Sequence, residues 1–196
     1  MRIALIRHGP TAWNEARRLQ GLADQPLSVA GLETVKTWRV PEEYRGFTGV
    51  ASPLTRARET ARLLGLECVV EPSIREMHWG AWEGRTRDEL IAHYGDEFHT
   101  RTAKGLDLRP HDGESPREVR DRVAGWIATC AERDCDIGAV THQGIIRAAL
   151  SLATGWEMVG KPPVRMDWAA VHVVTVAPDG QVSLEAMNVS LGAEPP

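Results

Sequence analysis

Two short apolar runs, each ending in a histidine at a turn, constrain the fold of this chain most. Arg2–Arg7, rich in Ile and Leu, runs into His8-Gly9-Pro10-Thr11, and Ile137–Val140 runs into Thr141-His142-Gln143-Gly144. Runs of this length without polar alternation suit strands covered on both faces. Helix punctuation fills the stretches between them. Ser28 predicts a helix to about Trp38, stopped by Pro41. Ser52-Pro53 predicts an N-cap and first turn of a helix ending at Leu64, before Gly65. Val50-Ala51 and Glu67–Glu71 are short strand candidates. From Met77 to about Gly113 the chain is polar, with one helix expected at Thr86–Tyr94 and the rest read as loop or cap. Ser115-Pro116 opens a long amphipathic helix to about Arg133, and a further helix follows His142 to about Ala153. Val171–Val176 and Gln181–Met187 flank Pro178-Asp179-Gly180, a hairpin signal, and the tail after Asn188 reads as frayed. Strands alternating with helices predict an α/β fold with a largely parallel sheet.

A length of 196 residues suits one domain that can bury about 70% of its unfolded surface without a staple. No run of about 18 apolar residues is present, so no membrane span is expected. The N-terminal apolar run is too short for a signal peptide, so a cytoplasmic address is expected. A net charge of −4 weighs against general nucleic-acid affinity. Arg outnumbers Lys twenty to three, which codon usage can explain, yet the guanidinium is also the better fork for phosphate. Many arginines stand beside acids, as in Arg117-Glu118 and Arg120-Asp121-Arg122, the pattern of a salt-bridged surface. Cys68, Cys130 and Cys135 form no C-x-x-C pair and read as reduced, structural thiols.

Ligands of such sheets bind outside the carboxyl ends of the strands, where His8 and His142 both fall. Arg7 precedes His8, and Arg56 lies in the first turn of the helix after Ser52-Pro53. Two histidines and two arginines at strand ends, beside a helix N-terminus, suggest a phosphate pocket. The other histidines have blander readings: His78 and His93 as surface or cap packing, His172 as sheet surface or core. His99 and His111, with Arg101, Lys104 and Arg109, read as a solvated loop or as partners of an anionic substrate tail. Trp79 and Trp82 divide between pocket wall and packing. Trp126 and Trp156 read as core or interface, and a homodimer is left open.

Over nearly its whole length the sequence resembles the histidine phosphatase superfamily, the phosphoglycerate-mutase-like proteins. Arg7-His8-Gly9 with Thr11, Trp13 and Asn14 resembles the family signature, and Leu19-Gln20-Gly21 with Asp24, Pro26 and Leu27 its following segment. Ser52-Pro53-Leu54-Thr55-Arg56-Ala57 with Thr60-Ala61 resembles the second arginine motif. Arg75-Glu76-Met77 with Gly80 and Trp82-Glu83-Gly84 resembles the proton-donor motif, Gly113-Glu114-Ser115 the start of the long helix, and Val140–Ala148 the second histidine motif. The resemblance implies a three-layer sandwich with a central, mostly parallel mixed sheet flanked by helices. It implies one domain over residues 1–196, with a cap-like insertion at about 77–113.

It also implies roles. His8 is the nucleophile; Arg7, Arg56 and His142 hold the phosphate, helped by Asn14 and the N–H of Gln143; Glu76 is the proton donor; Gln20 and Gly21 lie at the substrate mouth. No metal or cofactor is implied. Two departures from the family pattern are Pro10, where Glu is usual, and Gln143, where Gly or Ala is usual. They put substrate preference in question, not the core set. The implied function is a phosphomonoester hydrolase working through phosphohistidine on a small phosphorylated metabolite. A phosphoglycerate mutase is the alternative, although mutases in the family look longer and differ at the donor motif, here Glu76-Met77-His78-Trp79-Gly80. A non-catalytic phosphate-binding module is a third reading, opposed by the intact set Arg7, His8, Arg56, Glu76 and His142.

Overall fold

The computed structural model describes residues 1–133 and 135–192. In chain order the elements are β1 (Arg2–Arg7), α1 (Ala12–Glu15), α2 (Val29–Thr37), α3 (Glu42–Arg45), β2 (Thr48–Ala51), α4 (Thr55–Leu63), β3 (Cys68–Val70), α5 (Arg87–Tyr94), α6 (Asp96–Thr102), α7 (Pro116–Ala131), β4 (Ile137–Thr141), α8 (Gln143–Thr154), β5 (Ala170–Val176) and β6 (Val182–Ser190). The strands form one sheet in the order β3-β2-β4-β1-β5-β6. The β3–β2, β2–β4 and β4–β1 pairs are parallel, whereas β1–β5 and β5–β6 are antiparallel.

The apolar runs are apolar because both faces of the central strands are covered. In β1, Ile3 and Leu5 join the core beneath α7 and α8, while Ala4 and Ile6 join the core beneath α2 and α3. β5 splits likewise, with Val174 and Val176 on the first face and Val171 and Val173 on the second. Helices therefore flank a mixed sheet on both sides, in the three-layer arrangement the resemblance implies.

Local signals account for several elements. Ser28 caps α2 by accepting the Gly31 N–H at 2.9 Å. Ser115 and Glu118 form a reciprocal capping box at the start of α7, where Pro116 sits at the first position. The hairpin forms around Asp179-Gly180, with Gly180 at φ +86°.

Three expectations are corrected. Ser52 does not cap α4, which starts at Thr55 and has no cap from its own flank; Asp24 accepts from Thr55 N and Oγ1 instead, both at 2.7 Å. The segment read as loop after Tyr94 holds α6, whose Phe98 anchors it in the core. The chain after Asn188 is not frayed: Val189 and Ser190 pair with Val171 and Ala170, and Leu191 is buried. Of the two readings of His172, the core one holds: the ring is buried and donates from Nε2 to the Asp167 carbonyl at 2.9 Å. Residues 193–196 of the predicted tail lie outside the described residues.

Trp126 is buried in the core, and Trp156 is half-buried. The three cysteines are unpaired; burial pushes the Cys130 thiol up to about 11, in keeping with an inert packing role. No helix among the described residues is long and apolar enough to cross a membrane.

Candidate active site

Sheet register alone brings the two histidines together. Arg7 pairs with Thr141 across β1 and β4, and Ala51 pairs with Val140 across β2 and β4. Three parallel strands thus end side by side, and the next residues are His8, His142 and Ser52. The His8 N–H continues the ladder to Thr141 O at 2.9 Å, as the Ser52 N–H does to Val140 O at 3.0 Å. The imidazole centroids lie 5.1 Å apart, tilted by 57°.

His8 is buried, and its Nδ1 donates to the Gly9 carbonyl at 2.7 Å. A carbonyl only accepts, so the ring proton sits on Nδ1 and Nε2 keeps its lone pair. Burial, then the charges of Arg7 and Arg56, hold the His8 pKa well below the usual histidine range, against the opposing pull of the Gly9 bond. Desolvation, not the arginines, is the largest cause. A Cβ at Gly9 would come within 2.3 Å of Val35 Cγ2, so a larger residue there must displace Val35.

His142 is fully buried, with Nε2 2.6 Å from Ser52 Oγ. Ser52 Oγ already accepts the Leu54 N–H at 3.3 Å. If its own proton goes to Nε2, the His142 proton lies on Nδ1, a buried atom with no partner among the described residues. Burial first, then His8 and the arginines, keep this ring neutral as well.

Arg56 is wholly buried on α4. Its Nη1 and Nη2 donate to the carbonyls of Ala23 (3.0 Å) and Gly21 (2.8 Å), and its Nε has no partner. The fork is therefore held by the 21–23 loop, with N–H groups left over. Arg7 makes no side-chain hydrogen bond or ion pair among the described residues and lies 5.3 Å from the centre of the Trp168 ring.

Glu76 is buried between two backbone donors. Oε1 accepts from Met77 N at 2.9 Å and Gly144 N at 3.1 Å. Burial raises its pKa and outweighs those bonds and the two arginines, all of which favour the carboxylate. Gly144 is required for this contact, since a Cβ there would come within 2.3 Å of Oε1.

These groups face one cavity of about 260 Å³. Eight of the nine expected site residues line it: Arg7, His8, Asn14, Gln20, Gly21, Arg56, Glu76 and Gln143. His142 does not; it stands behind His8. Asn14 Oδ1 is held by Thr11 N at 3.1 Å, in the capping box of α1, and Gln20 Oε1 accepts from Thr11 Oγ1 at 2.9 Å. Of the two departures, Gln143 lines the cavity and Pro10 does not; Pro10 turns its carbonyl to the Ser28 N–H at 3.0 Å. Trp79 lines the cavity, and Trp82 packs in the core beneath it, with ring centroids 6.1 Å apart.

Three of the five groups expected to meet a substrate tail are engaged elsewhere. Arg101 pairs with Glu97 at 2.7 Å, Arg109 with Glu118 at 2.5 Å, and His111 with Glu97 at 3.1 Å. Arg18 and Arg147 line the cavity instead. A signal for Arg147 was available, because it stands four residues after Gln143 on one helix face.

Several residues that position the site also went unread. Arg122 donates to the carbonyls of Ser73 (2.6 Å) and Arg75 (3.0 Å), Glu114 accepts the His78 N–H at 2.9 Å, and Thr141 Oγ1 donates to Ile74 O at 2.8 Å. Together they clamp the segment carrying Glu76. Glu83 accepts from Leu22 N, Ala23 N and Trp79 N at 2.9–3.1 Å, fixing the loop that holds Arg56. Apart from Trp79 and Glu83, these partners are distant in sequence and carry no local pattern. No group of three or more His, Cys, Asp or Glu side chains that could hold a metal ion occurs among the described residues.

A family model described as the histidine phosphatase superfamily (branch 1) matches residues 3–189. The chain belongs to this superfamily. Its relatives include a probable phosphoglycerate mutase GpmB of Enterobacter sp. (strain 638), 35% identical over 137 residues, covering 66% of this chain and 63% of that protein. The protein of the same name from Yersinia pestis (strain Pestoides F) is 31% identical over 138 residues, covering 67% and 64%. The matches thus span a little under two thirds of these relatives' length. Two solved structures cover far more. The mycobacterial glucosyl-3-phosphoglycerate phosphatase superposes with a TM-score of 0.77 at 26% identity, covering 96% of this chain and 99% of that one. A putative alpha-ribazole-5'-P phosphatase from Escherichia coli K-12 gives 0.80 at 26% identity, covering 99% of both. The segments bearing His8, Arg56, Glu76 and Gln143 meet at the cavity.

Proposed function

We propose that this member of the histidine phosphatase superfamily is a metal-independent phosphomonoester hydrolase acting through a phosphohistidine on a small phosphorylated metabolite. One observation carries the reading: a neutral imidazole with its Nδ1 proton tied to Gly9 faces the same cavity as two arginines and a buried carboxyl of raised pKa. Nε2 of His8 attacks phosphorus while Arg7 and Arg56 balance the phosphoryl charge, aided by Asn14 and the N-terminus of α8 at Gln143, with His142 packed against the His8 ring. The bond to the leaving oxygen breaks, and that oxygen takes the Glu76 proton. The Glu76 carboxylate then accepts a proton from water, water attacks phosphorus, and phosphate leaves His8 restored. Gln20 and Gly21 form the mouth, and residues 77–113 serve as a cap. Nothing in this chemistry requires a nucleic acid, a membrane or a second copy of the chain.

The test is turnover of a phosphomonoester panel in EDTA, with His8→Ala in parallel. Metal-independent phosphate release by the parent, lost in the variant, is expected; full turnover by His8→Ala would overturn the reading. The names of the curated relatives favour a second reading, a phosphoglycerate mutase. It predicts a bisphosphoglycerate requirement and isomeric product in place of free phosphate.

A further inference from the structure

The cavity at the strand ends does not stop at the phosphate-holding residues. Gln143 and Arg147, one turn apart on α8, line both it and a second cavity of about 430 Å³. The rest of that second wall comes from the segment between α8 and β5, which brings Lys161, Arg165 and Trp168. Among the described residues, three cations and no carboxylate line it. Among the described residues the side chains of Arg147, Lys161 and Arg165 make no hydrogen bond or ion pair, in contrast to Arg101, Arg109 and Arg117, each held by a carboxylate. Lys161 and Arg165 are exposed and lose little by this. Arg147 is different. Its Nε is shut off from water without a partner, and its guanidinium lies 5.2 Å from the centre of the Trp156 ring. A guanidinium nitrogen shut off from water and left without an acceptor is costly. Trp168 joins the two cavities, because the Arg7 guanidinium rests over its ring while Trp168 itself lines the second cavity.

We propose that the second cavity is a subsite for a second anionic group, carboxylate or phosphoryl, on the leaving group of the phosphate ester. Arg147 is its inner donor, with Lys161 and Arg165 at the rim. This rests on the hydrolase reading and narrows it to esters whose carbon skeleton carries a second negative charge. Such a contact holds the leaving group in both ground and transition states, so it acts mainly through KM.

The experiment uses three esters on one skeleton: propyl phosphate, 3-(phosphonooxy)propanoate and propane-1,3-diol bisphosphate. Steady-state hydrolysis is measured for the parent, Arg147→Gln, Arg147→Lys and a Lys161→Ala/Arg165→Ala double variant. Binding of the same esters to His8→Ala is measured by calorimetry. The parent is expected to favour at least one anionic-tail ester over propyl phosphate by about tenfold or more in kcat/KM, largely through KM. Which ester gains distinguishes carboxylate from phosphoryl. Arg147→Gln is expected to bring that ratio near one, Arg147→Lys to keep part of it, and the double variant to reduce it. Equal kcat/KM for all three esters in the parent overturns the proposal. So does an Arg147→Gln variant that loses all three alike, which marks a packing role against Trp156. If Arg147→Gln does not fold, the exposed double variant decides. If the parent hydrolyses none of them, the hydrolase reading fails by itself, and the calorimetric preference for a second anion still decides this one.

Discussion

Glu76 takes three competing influences, and the balance decides what it can do. Two backbone N–H groups and two arginines favour the carboxylate, and burial favours the acid and wins. In the proposed reaction this bias suits Glu76 to give a proton to an alkoxide leaving group. Glu76→Gln is expected to slow single-turnover release of an alkyl alcohol by about 10²–10⁴, and release of an activated aryl leaving group far less. In the parent, alkyl-ester cleavage should decline as pH rises through the raised Glu76 pKa; in the variant that alkaline limb should be gone. His8 and His142 act in the opposite sense on stability. Their folded pKa values lie below the unfolded value of about 6.5, so the stability of the neutral rings is complete above that pH and is lost as pH falls through the depressed values. Thermal melts should show Tm falling below about pH 6.5, with a shallower fall in His142→Gln. Parallel profiles for parent and variant would contradict this. Arg7, His8, Arg56 and His142 were legible from strand ends and a helix start, whereas Glu76 was indicated only by the family resemblance. The tautomer of His8 and the protonation bias of Glu76 were not legible, because desolvation by remote parts of the chain sets both.

At the scale of elements, two helix caps separate local from long-range design. Ser115 caps α7 through Glu118, three residues on, and was readable as a short pattern. Asp24 caps α4 from 31 residues away, replacing the cap expected from Ser52, whose hydroxyl is taken by His142. Ser115→Ala and Asp24→Ala should each cost about 1 kcal/mol of stability by denaturant titration. Only Asp24→Ala should also weaken inhibition by inorganic phosphate, because α4 carries Arg56. Equal loss of phosphate affinity in both would show that α4 does not depend on this cap. The same logic explains α6. Residues 96–102 are polar apart from Phe98, so periodicity was silent; the helix forms because Phe98 reaches Trp82, 5.0 Å between ring centroids.

Across the whole molecule, the sheet is what brings the site together. Leu5 lies in β1, between β4 and β5, and is 1% exposed. Leu5→Ala is expected to cost about 2–5 kcal/mol in global unfolding; a change below about 1 kcal/mol would mean the central strand tolerates a void. The sequence by itself determined the α/β class, the strands that end in His8 and His142, and the residue types able to bind and transfer a phosphoryl group. Those follow from short-range rules: apolar runs demand cover on both faces, and turn residues end strands. The tertiary structure alone decided that β4 inserts between β1 and β2, that Glu83 and Arg122 brace the loops beneath Arg56 and Glu76, and that Arg147, not the cap arginines, faces the cavity. Strand order and cross-chain hydrogen bonds join residues tens of positions apart, and their energies depend on burial, which no local pattern of residues encodes.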